Sequence, residues 1–270
     1  MKIAVVAPSC TLKHEAADKV AALAAGRAGC ELVVHPQCFL SEGHFAGSDG
    51  ERLAALREVM ADESVDAVWF ARGGYGSNRI AEAALADISV PAMRKAYLGY
   101  SDAGFLLAGL HMAGCEVAHG PMPQDVLRDG GEAAVARALD WLLSRDPSAL
   151  EPGLAGPAQA YNLTVLSNLL GTSLEPELAG VELLIEEVSE HLYRIDRTMF
   201  HVTASANVRG VRRLRLGGVS DVPENDPVWS GDSEAIVMDW CARAGIAYGG
   251  RAGIGHDAGN RVVPFGRNSS

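Results

Sequence analysis

The chain contains 270 residues, of which 48% are hydrophobic and 21% are charged, and this composition excludes collagen-like and intrinsically disordered proteins. A chain of this length can bury a substantial core, in one large domain or two smaller ones. Acidic residues outnumber basic ones by 34 to 23, which gives a formal net charge of −11. Because the arginines are scattered rather than clustered, no nucleic-acid partner is expected.

The sequence shows no pattern typical of secretion, membrane insertion or metal binding. The N-terminal apolar run stops at Pro8, too early for a signal peptide, and the longest apolar segment, 103–115, is too short to span a bilayer. The five cysteines are widely spaced and form no CxxC pair, so neither a zinc site nor a disulfide framework is expected. We therefore predict a cytoplasmic protein with no membrane association, no metal and no cofactor.

Short apolar runs alternate with helical patterns through the first half of the chain. Strands are predicted at 2–7, 31–34, 65–71 and 96–100. Helices are predicted at 14–27, behind a capping box of Ser48 and Glu51, after the glycines at 73–76, and at 103–113. Strand–helix alternation at this spacing predicts an α/β fold with a parallel sheet of the Rossmann-like or flavodoxin-like kind.

A linker is predicted where prolines and glycines are dense. Residues 147–157 (PSALEPGLAGP) contain three prolines and two glycines, which disfavours a helix or a central strand. The predicted organisation is an N-terminal α/β domain at 1–146, the linker, and a smaller, mixed α+β C-terminal domain at 158–270. Within the latter we predict a helix capped by Asn162 and running to Leu170, another helix at 193–207, and strands at 180–186, 214–219 and 261–265.

The turn ARGGYG at 71–76 directly follows a predicted strand. Adjacent glycines let the backbone approach a ligand closely, and the carboxyl ends of parallel strands are where open α/β sheets bind ligands. The same residues also suit an ordinary turn between a strand and a helix. GGxG lacks the spacing of a dinucleotide fingerprint, so a nucleotide cofactor is not indicated.

The turn LGYSDAG at 98–104 has the form of a nucleophile elbow, a sharp strand-to-helix turn that exposes a serine hydroxyl. Gly99 lies two residues before Ser101, where a side chain would crowd such a turn. The following helix N-terminus and the amide of Asp102 favour developing negative charge. The pattern departs from GxSxG at Ala103, which argues against a generic α/β-hydrolase. A serine here is commonly a helix N-cap, so a catalytic role requires a base and a carboxylate.

Candidates for both partners lie further along the chain. His256 lies in the glycine-rich segment GIGHDAGN and can approach another element closely, whereas His119 in HGPM is its competitor. The strand VELLIEE at 181–187 ends in Glu186 and Glu187, of which only one can face a given site because strand side chains alternate. The order Ser, Glu, His is one in which triads recur.

Several motifs together resemble the LD-carboxypeptidases, peptidase family S66. They are VVAPS (5–9), ARGGYGSNRI (71–80), GYSD (99–102), HGPM (119–122), NLTVLSNLLGT (162–172), LLIEEVSEHLYRIDR (183–197) and GHDAGNRVVPFG (255–266). By this resemblance the nucleophile is Ser101, the carboxylate is Glu186 and the base is His256. The resemblance also implies an oxyanion hole made of the backbone amides of Gly74, or alternatively Gly73, and Asp102.

The resemblance implies removal of the terminal D-alanine from cytoplasmic murein tetrapeptides, by a protein that forms a homodimer. Arg72 is a candidate for binding the free carboxylate of the peptide, and Gly73, Tyr75, Tyr161 and Asn162 are further candidates for substrate contact. The chain departs from the family in AYNL (160–163), in the pair Glu186–Glu187, in His191–Leu192 and in a short, divergent region at 219–250. These departures leave substrate choice open.

Two alternative functions follow. The first is a peptidase similar to the microcin-immunity enzymes, which hydrolyse an amide in peptidyl or aminoacyl nucleotides, with Tyr161 or Trp229 as an aromatic contact for adenine. The second belongs to another class: a non-catalytic α/β module that binds an anionic ligand at its glycine turns. It predicts that Ser101→Ala leaves function intact.

Overall fold

The computed structural model describes residues 1–266, so the last four residues of the predicted C-terminal domain lie outside it. The strands are β1 (Lys2–Val6), β2 (Glu31–Val34), β3 (Ala67–Phe70), β4 (Ala96–Gly99), β5 (Glu116–His119), β6 (Ala158–Asn162), β7 (Glu182–Val188), β8 (Arg213–Ser220), β9 (Tyr248–Arg251) and β10 (Val263–Pro264). The α-helices are α1 (His14–Ala25), α2 (Asp49–Ala61), α3 (Asn78–Leu85), α4 (Val90–Met93), α5 (Gly104–Met112), α6 (Gly131–Ser144), α7 (Leu163–Leu169), α8 (Leu192–Ala204), α9 (Ala206–Arg209) and α10 (Ser233–Ala244).

The first sheet has the strand order β10-β5-β4-β3-β1-β2. Its five N-terminal strands are mutually parallel, as the alternating pattern predicts. Its edge strand β10 is antiparallel and pairs Val263 with His119, so the sheet is mixed. The strand predicted at 261–265 therefore exists in shortened form but joins the N-terminal sheet. This connection ties the end of the described chain to the strand beside the Ser101 turn.

The second sheet has the order β6-β7-β8-β9, and all of its neighbouring strands are parallel. The prediction of a mixed C-terminal architecture is therefore wrong for the sheet. The pattern missed β6 and β9, which are short and carry little apolar alternation, and without them the parallel order is not visible. The helix predicted at 193–207 is broken at Ser205, which ends α8 and caps α9.

One apolar helix lies at the centre of the core. Seven consecutive residues of α5, from Gly104 to Leu110, are buried. A helix that is apolar on all sides is stable only when both faces are covered. Here α5 belongs to a core cluster that contains residues of both sheets, including Val68 of β3 and Ile185 of β7. The opposite face of the first sheet packs on α1 and α6, with Ile3 and Val5 pointing that way. The Ser101 turn at the start of α5 therefore has a rigid support.

The local signals predicted in the sequence are present. Ser48 and Glu51 form a capping box at the start of α2, and the Asn162 side chain accepts a hydrogen bond from Val165 N to cap α7. The predicted linker contains one short 3₁₀ turn, Pro147–Ala149, and is otherwise irregular up to β6. Within residues 1–266, no helix is both long and apolar enough to cross a bilayer.

Candidate active site

Ser101 sits on a strained turn between β4 and α5. Its φ is +57°, in the left-handed region that non-glycine residues rarely adopt, whereas Tyr100 before it is extended. A short 3₁₀ helix, Ser101–Ala103, then leads into α5. Strained backbone of this kind tends to occur at functional sites, where surrounding packing holds it in place. The side chain is half-buried and faces the carboxyl edge of the first sheet.

Two glycines make room for this turn. A Cβ at Gly99 would lie 2.8 Å from a ring carbon of Phe70 and 3.1 Å from the Cβ of Ala103, so no larger residue fits behind the serine. A Cβ at Gly73 would lie 2.8 Å from Ser101 Oγ and 3.6 Å from Asp102 N. The double-glycine turn and the serine turn are therefore in direct contact, and the sequence reading of Gly99 as a crowding position is confirmed.

His256 reaches the serine because its loop packs directly on the backbone of β8. The pairing of β7 with β8 is irregular between Ile185 and Glu187, and this irregularity accommodates Gly217 and Gly218. Gly218 N donates a 2.6 Å hydrogen bond to Ile254 O. A Cβ at Gly217 would lie 2.5 Å from the same oxygen, and one at Gly255 would lie 3.1 Å from Gly218 Cα. Glycines on both sides of this contact are therefore required to bring the imidazole into place.

Ser101, His256 and Glu186 form one hydrogen-bonded chain. His256 Nε2 lies 3.2 Å from Ser101 Oγ, and His256 Nδ1 lies 2.7 Å from Glu186 Oε2. Both distances are within hydrogen-bonding range, and the longer one is typical of a nucleophile and base before substrate binds. The Glu186 side chain has no exposure to solvent. The structure thus brings together the three side chains that the sequence predicted, although they are as many as 155 residues apart.

The adjacent carboxylates Glu186 and Glu187 have separate tasks. Glu186 Oε1 accepts no hydrogen bond from the part of the chain that the structure describes. The side-chain hydrogen bond to this carboxylate is the one between Oε2 and His256 Nδ1. The oxygens of Glu187 instead accept hydrogen bonds from Asn162 Nδ2 at 2.7 Å and Thr164 Oγ1 at 2.6 Å. Burial raises the pKa of Glu187. As strand alternation predicts, only one of the two faces the histidine.

Asp102 holds three loops together beneath the serine. Its carboxylate accepts hydrogen bonds from Ser9 Oγ and, at 2.8 Å, from Ser77 N, and its carbonyl accepts one from Ser77 Oγ at 2.5 Å. Burial raises the pKa of this carboxyl group. The contacts connect the loops after β1, β3 and β4. They fix the position of the double-glycine turn relative to the amide of Asp102.

Two cavities meet at Ser101. The larger has a volume of about 690 Å³ and extends from Gly74 and Tyr75 towards α7, with Glu187 and Glu190 in its wall. The smaller has a volume of about 280 Å³. The two cavities share Gly74, Ser101 and Val188 in their linings, and His256 lines the smaller cavity but not the larger one. A ligand can therefore extend to both sides of the serine hydroxyl.

The predicted substrate-binding residues fall into two groups. Arg72 and Gly73 line the smaller cavity, and Tyr75 and Asn162 line the larger. Asn162 is nearly buried, and its amide is occupied by α7 and by Glu187. Tyr161 lines neither cavity: its side chain is 1% exposed, packs on Phe265 and donates to Gln159.

Trp229, the other aromatic side chain considered for adenine, packs against the core and lines neither cavity. Within residues 1–266, no group of three or more His, Cys, Asp or Glu side chains is arranged to hold a metal ion.

A polar network behind His256 was not predicted from the sequence. The Tyr100 ring lies 4.8 Å from the imidazole, between centroids, and its hydroxyl donates to Asp125 Oδ1 at 2.9 Å. Arg128 Nη1 in turn donates to the Tyr100 hydroxyl at 2.8 Å. The segment 123–128 carries no motif, so only the fold reveals that its side chains line the smaller cavity. The one available signal was a Pro-x-Asp turn directly after HGPM.

His119, the competitor for the role of base, is excluded by position. It is fully buried in β5, and its Nε2 lies 3.1 Å from Asn260 Oδ1. Burial lowers the pKa of His119 to about 4. It therefore stays neutral at physiological pH and contributes to the core.

Acidification is expected to destabilise the protein through His119. Since its pKa is about 4 in the folded state and about 6.5 when unfolded, the unfolded chain binds the extra proton first. The stabilisation that comes from keeping His119 neutral and buried is fully present above about pH 6.5. Its loss lowers the free energy of unfolding by about 3 kcal/mol as the pH falls to about 4. Urea unfolding of wild type and His119→Gln at several pH values measures this, because titrations common to both proteins cancel in the difference. His14→Gln, on an exposed histidine, is the matched control. A wild-type-minus-variant difference that does not change with pH contradicts the prediction.

Gly73→Ala is expected to lower kcat/KM by at least about 100-fold without unfolding the protein. The added methyl group occupies the space of Ser101 Oγ, and displacing a catalytic atom by about 1 Å has this order of effect. Turnover rates and thermal unfolding are measured in parallel. Gly50→Ala is the matched control, because its Cβ has no neighbour closer than 4.0 Å. Activity of Gly73→Ala equal to that of Gly50→Ala would show that the contact is unimportant.

A serine hydroxyl, an imidazole and a buried carboxylate are joined in this order at the carboxyl edge of an α/β sheet, which is the geometry of the triad class of serine hydrolases. Residues 3–120 match the LD-carboxypeptidase N-terminal domain, and residues 155–270 match the LD-carboxypeptidase C-terminal domain, both of peptidase family S66. The chain therefore belongs to the LD-carboxypeptidase family of serine peptidases. Membership in this family confirms the resemblance read from the motifs, and the family is one of serine peptidases.

Individual relatives agree with this assignment. The murein tetrapeptide carboxypeptidase of Pseudomonas aeruginosa is 28% identical over 244 residues, which cover 84% of this chain and 78% of that protein. The crystal structure of muramoyltetrapeptide carboxypeptidase from Oxalobacter formigenes matches with a TM-score of 0.83 at 24% identity, covering 97% and 93% of the two chains. The microcin C7 self-immunity protein in complex with aspartyl sulfamoyl adenosine matches with a TM-score of 0.80 at 16% identity, covering 98% and 91%. The two structures establish a shared fold.

Proposed function

We propose that the protein is a serine LD-carboxypeptidase that removes the terminal D-alanine from murein tetrapeptides in the cytoplasm. The observation that carries the proposal is the Ser101–His256–Glu186 hydrogen-bonded chain at the junction of two cavities, in a member of this family. The names of the relatives support the class of substrate. The homodimer remains a prediction from the resemblance, and the cytoplasmic location remains a prediction from the sequence.

The first half of the mechanism forms an acyl-enzyme. Ser101 Oγ attacks the carbonyl carbon of the terminal amide while His256 Nε2 takes the hydroxyl proton. Glu186 stabilises the resulting imidazolium through Nδ1–H. The amides of Gly74 and Asp102 donate to the oxyanion, and losing one such donor costs about 3–4 kcal/mol of barrier. Collapse of the intermediate breaks the C–N bond, and His256 returns the proton to the nitrogen of D-alanine as it leaves.

The second half releases the shortened peptide. Water attacks the ester carbonyl of Ser101, His256 takes a proton from that water, and the same amides stabilise the second oxyanion. When the C–O bond breaks, His256 returns the proton to Ser101 Oγ. The products are the tripeptide acid and the regenerated enzyme, with one water consumed. Every proton in this cycle passes through a nitrogen that already lies 3.2 Å from the serine oxygen.

Mass spectrometry of a murein tetrapeptide incubated with the protein tests the proposal. The expected result is loss of one alanine, with no loss from a matched peptide that ends in L-alanine. An aminoacyl sulfamoyl adenosine is assayed in parallel. Exclusive turnover of that compound would replace the murein assignment with the microcin-immunity type of activity. Turnover of neither compound by protein whose Ser101 is labelled by a fluorophosphonate would show that the substrate belongs to another class.

A further inference from the structure

The two cavities at Ser101 differ in charge. The smaller cavity is lined by His256, by two arginines, Arg72 and Arg128, and by one carboxylate, Asp125, which pairs with Arg128. The larger cavity has no lysine or arginine in its described lining, which instead includes Glu82, Glu187 and Glu190. A free carboxylate is repelled on the glutamate side and attracted on the arginine side. The site therefore distinguishes the two directions in which a peptide could lie across the serine.

The cavities also differ in size. About 280 Å³ is at the lower limit of ligand pockets and suits one small amino acid, whereas about 690 Å³ accommodates several residues. A carboxypeptidase splits its substrate into one terminal residue with a free carboxylate and a longer acyl part. The smaller cavity matches the first part in both size and charge. The larger cavity matches the second in size.

Arg128 is held in place by the protein. Its Nη1 donates to the Tyr100 hydroxyl at 2.8 Å and lies 3.3 Å from Asp125 Oδ1. Its side chain is 39% exposed, and within residues 1–266 its Nη2 has no hydrogen-bond partner. Arg72 is likewise anchored by one nitrogen, which donates to Thr11 O at 3.1 Å. A guanidinium fixed at one nitrogen loses little conformational entropy when the remaining N–H groups bind a carboxylate.

We propose that Arg128, assisted by Arg72, binds the free carboxylate of the residue that leaves, so that the smaller cavity is the leaving-group subsite. The inference rests on the proposed function and adds the direction of the substrate. It makes the protein a carboxypeptidase rather than an endopeptidase. A peptide that continues beyond the leaving residue has no carboxylate at this position, and the smaller cavity has no space for its further residues.

Arg128 also touches Tyr100, which packs on His256, so a test must separate carboxylate binding from positioning of the base. The test compares kcat/KM for a murein tetrapeptide and for the same peptide with a C-terminal carboxamide. Wild type is expected to prefer the free acid by about 10- to 100-fold, the usual strength of a charge-assisted hydrogen bond. In Arg128→Gln this ratio is expected to fall towards one, because cleavage of the free acid slows and cleavage of the amide does not.

Arg243→Gln is the matched control, because Arg243 is exposed and its ion pair with Asp239 and its cation–π contact with Trp240 both lie on its own helix. Its ratio is expected to equal that of wild type. If Arg128→Gln slows both peptides equally and keeps the ratio, Arg128 is only a positioning residue and the inference is overturned. Arg72→Gln is expected to lower the ratio by a smaller factor.

Binding to Ser101→Ala makes the test independent of turnover. Dissociation constants for the free acid and the amide are measured by calorimetry in this background, with and without Arg128→Gln. If the free acid binds more tightly than the amide and this preference is lost in Arg128→Gln, the subsite is supported. This holds even if wild type fails to cleave the peptide, and then only the proposed function is contradicted. Equal binding of acid and amide overturns the subsite while cleavage leaves the proposed function intact.

Discussion

Ser101→Ala is expected to lower kcat for tetrapeptide hydrolysis by about 10,000- to 1,000,000-fold and to abolish labelling by a fluorophosphonate. In the proposed mechanism the variant removes the oxygen that forms the acyl-enzyme bond, whereas the proposed oxyanion donors and both cavities remain. Because alanine has the same Cβ as serine, the strained φ of +57° costs the variant no more than wild type. Its thermal unfolding temperature should therefore be close to that of wild type.

Ser189→Ala provides a matched control for this substitution. Ser189 is also a serine with positive φ, +60°, and it is exposed next to Val188 and Glu190, yet it lines neither cavity. Its kcat is expected to remain within a factor of about two of wild type, as is usual for surface substitutions. If Ser101→Ala kept a tenth of wild-type activity, Ser101 could not be the nucleophile.

Glu186→Gln is expected to lower kcat by about 10,000-fold while the protein stays folded. The carboxylate accepts a hydrogen bond from Nδ1–H of His256, with 2.7 Å between Nδ1 and Oε2, and this leaves Nε2 without a proton and able to take the serine proton. An amide at this position can donate to Nδ1 instead. That donation favours the tautomer with its proton on Nε2, which cannot act as a base. The buried charge is removed at the same time, so stability need not fall.

The neighbouring residue supplies the control for Glu186. Glu187→Gln changes the same atom type on the same strand but affects the contacts with Asn162 and Thr164. It is expected to reduce the free energy of unfolding by about 1–3 kcal/mol, because the new amide nitrogen faces donors. Its effect on kcat is expected to be far smaller than that of Glu186→Gln. A reversed order of the two effects on kcat would assign the triad carboxylate to Glu187.

Much of the fold and of the site could be predicted from local sequence signals. Strand β2 has the predicted bounds, and the caps at Ser48 and Asn162 form because each is a local contact within four residues. The elbow around Ser101 was readable for the same reason, since Gly99 and the following apolar helix are adjacent in sequence. The base and the carboxylate came from the family resemblance, supported by the glycines around His256.

Other features depend on contacts between distant segments. The short strand β10 carries too little pattern to reveal its partner, and it joins the N-terminal sheet because Val263 pairs with His119. Tyr161 is in sequence a candidate for an aromatic contact with adenine, but its position on β6 directs its side chain into the core. Arg128 was missed because an isolated arginine in a loop has no distinguishing pattern.

The sequence by itself determined the class of fold, the nucleophile turn and the family, because these depend on periodicity and on residues close together in the chain. Its length of 270 residues and its charge of −11 gave only a globular, acidic protein. The tertiary structure decided which glutamate meets the histidine, which histidine meets the serine, and which side of the serine carries the arginines. These pairings depend on glycines that let distant backbone segments come into contact, and on parallel strands whose carboxyl ends lie at the same edge of a sheet. No local sequence pattern encodes contacts between segments so far apart in the chain.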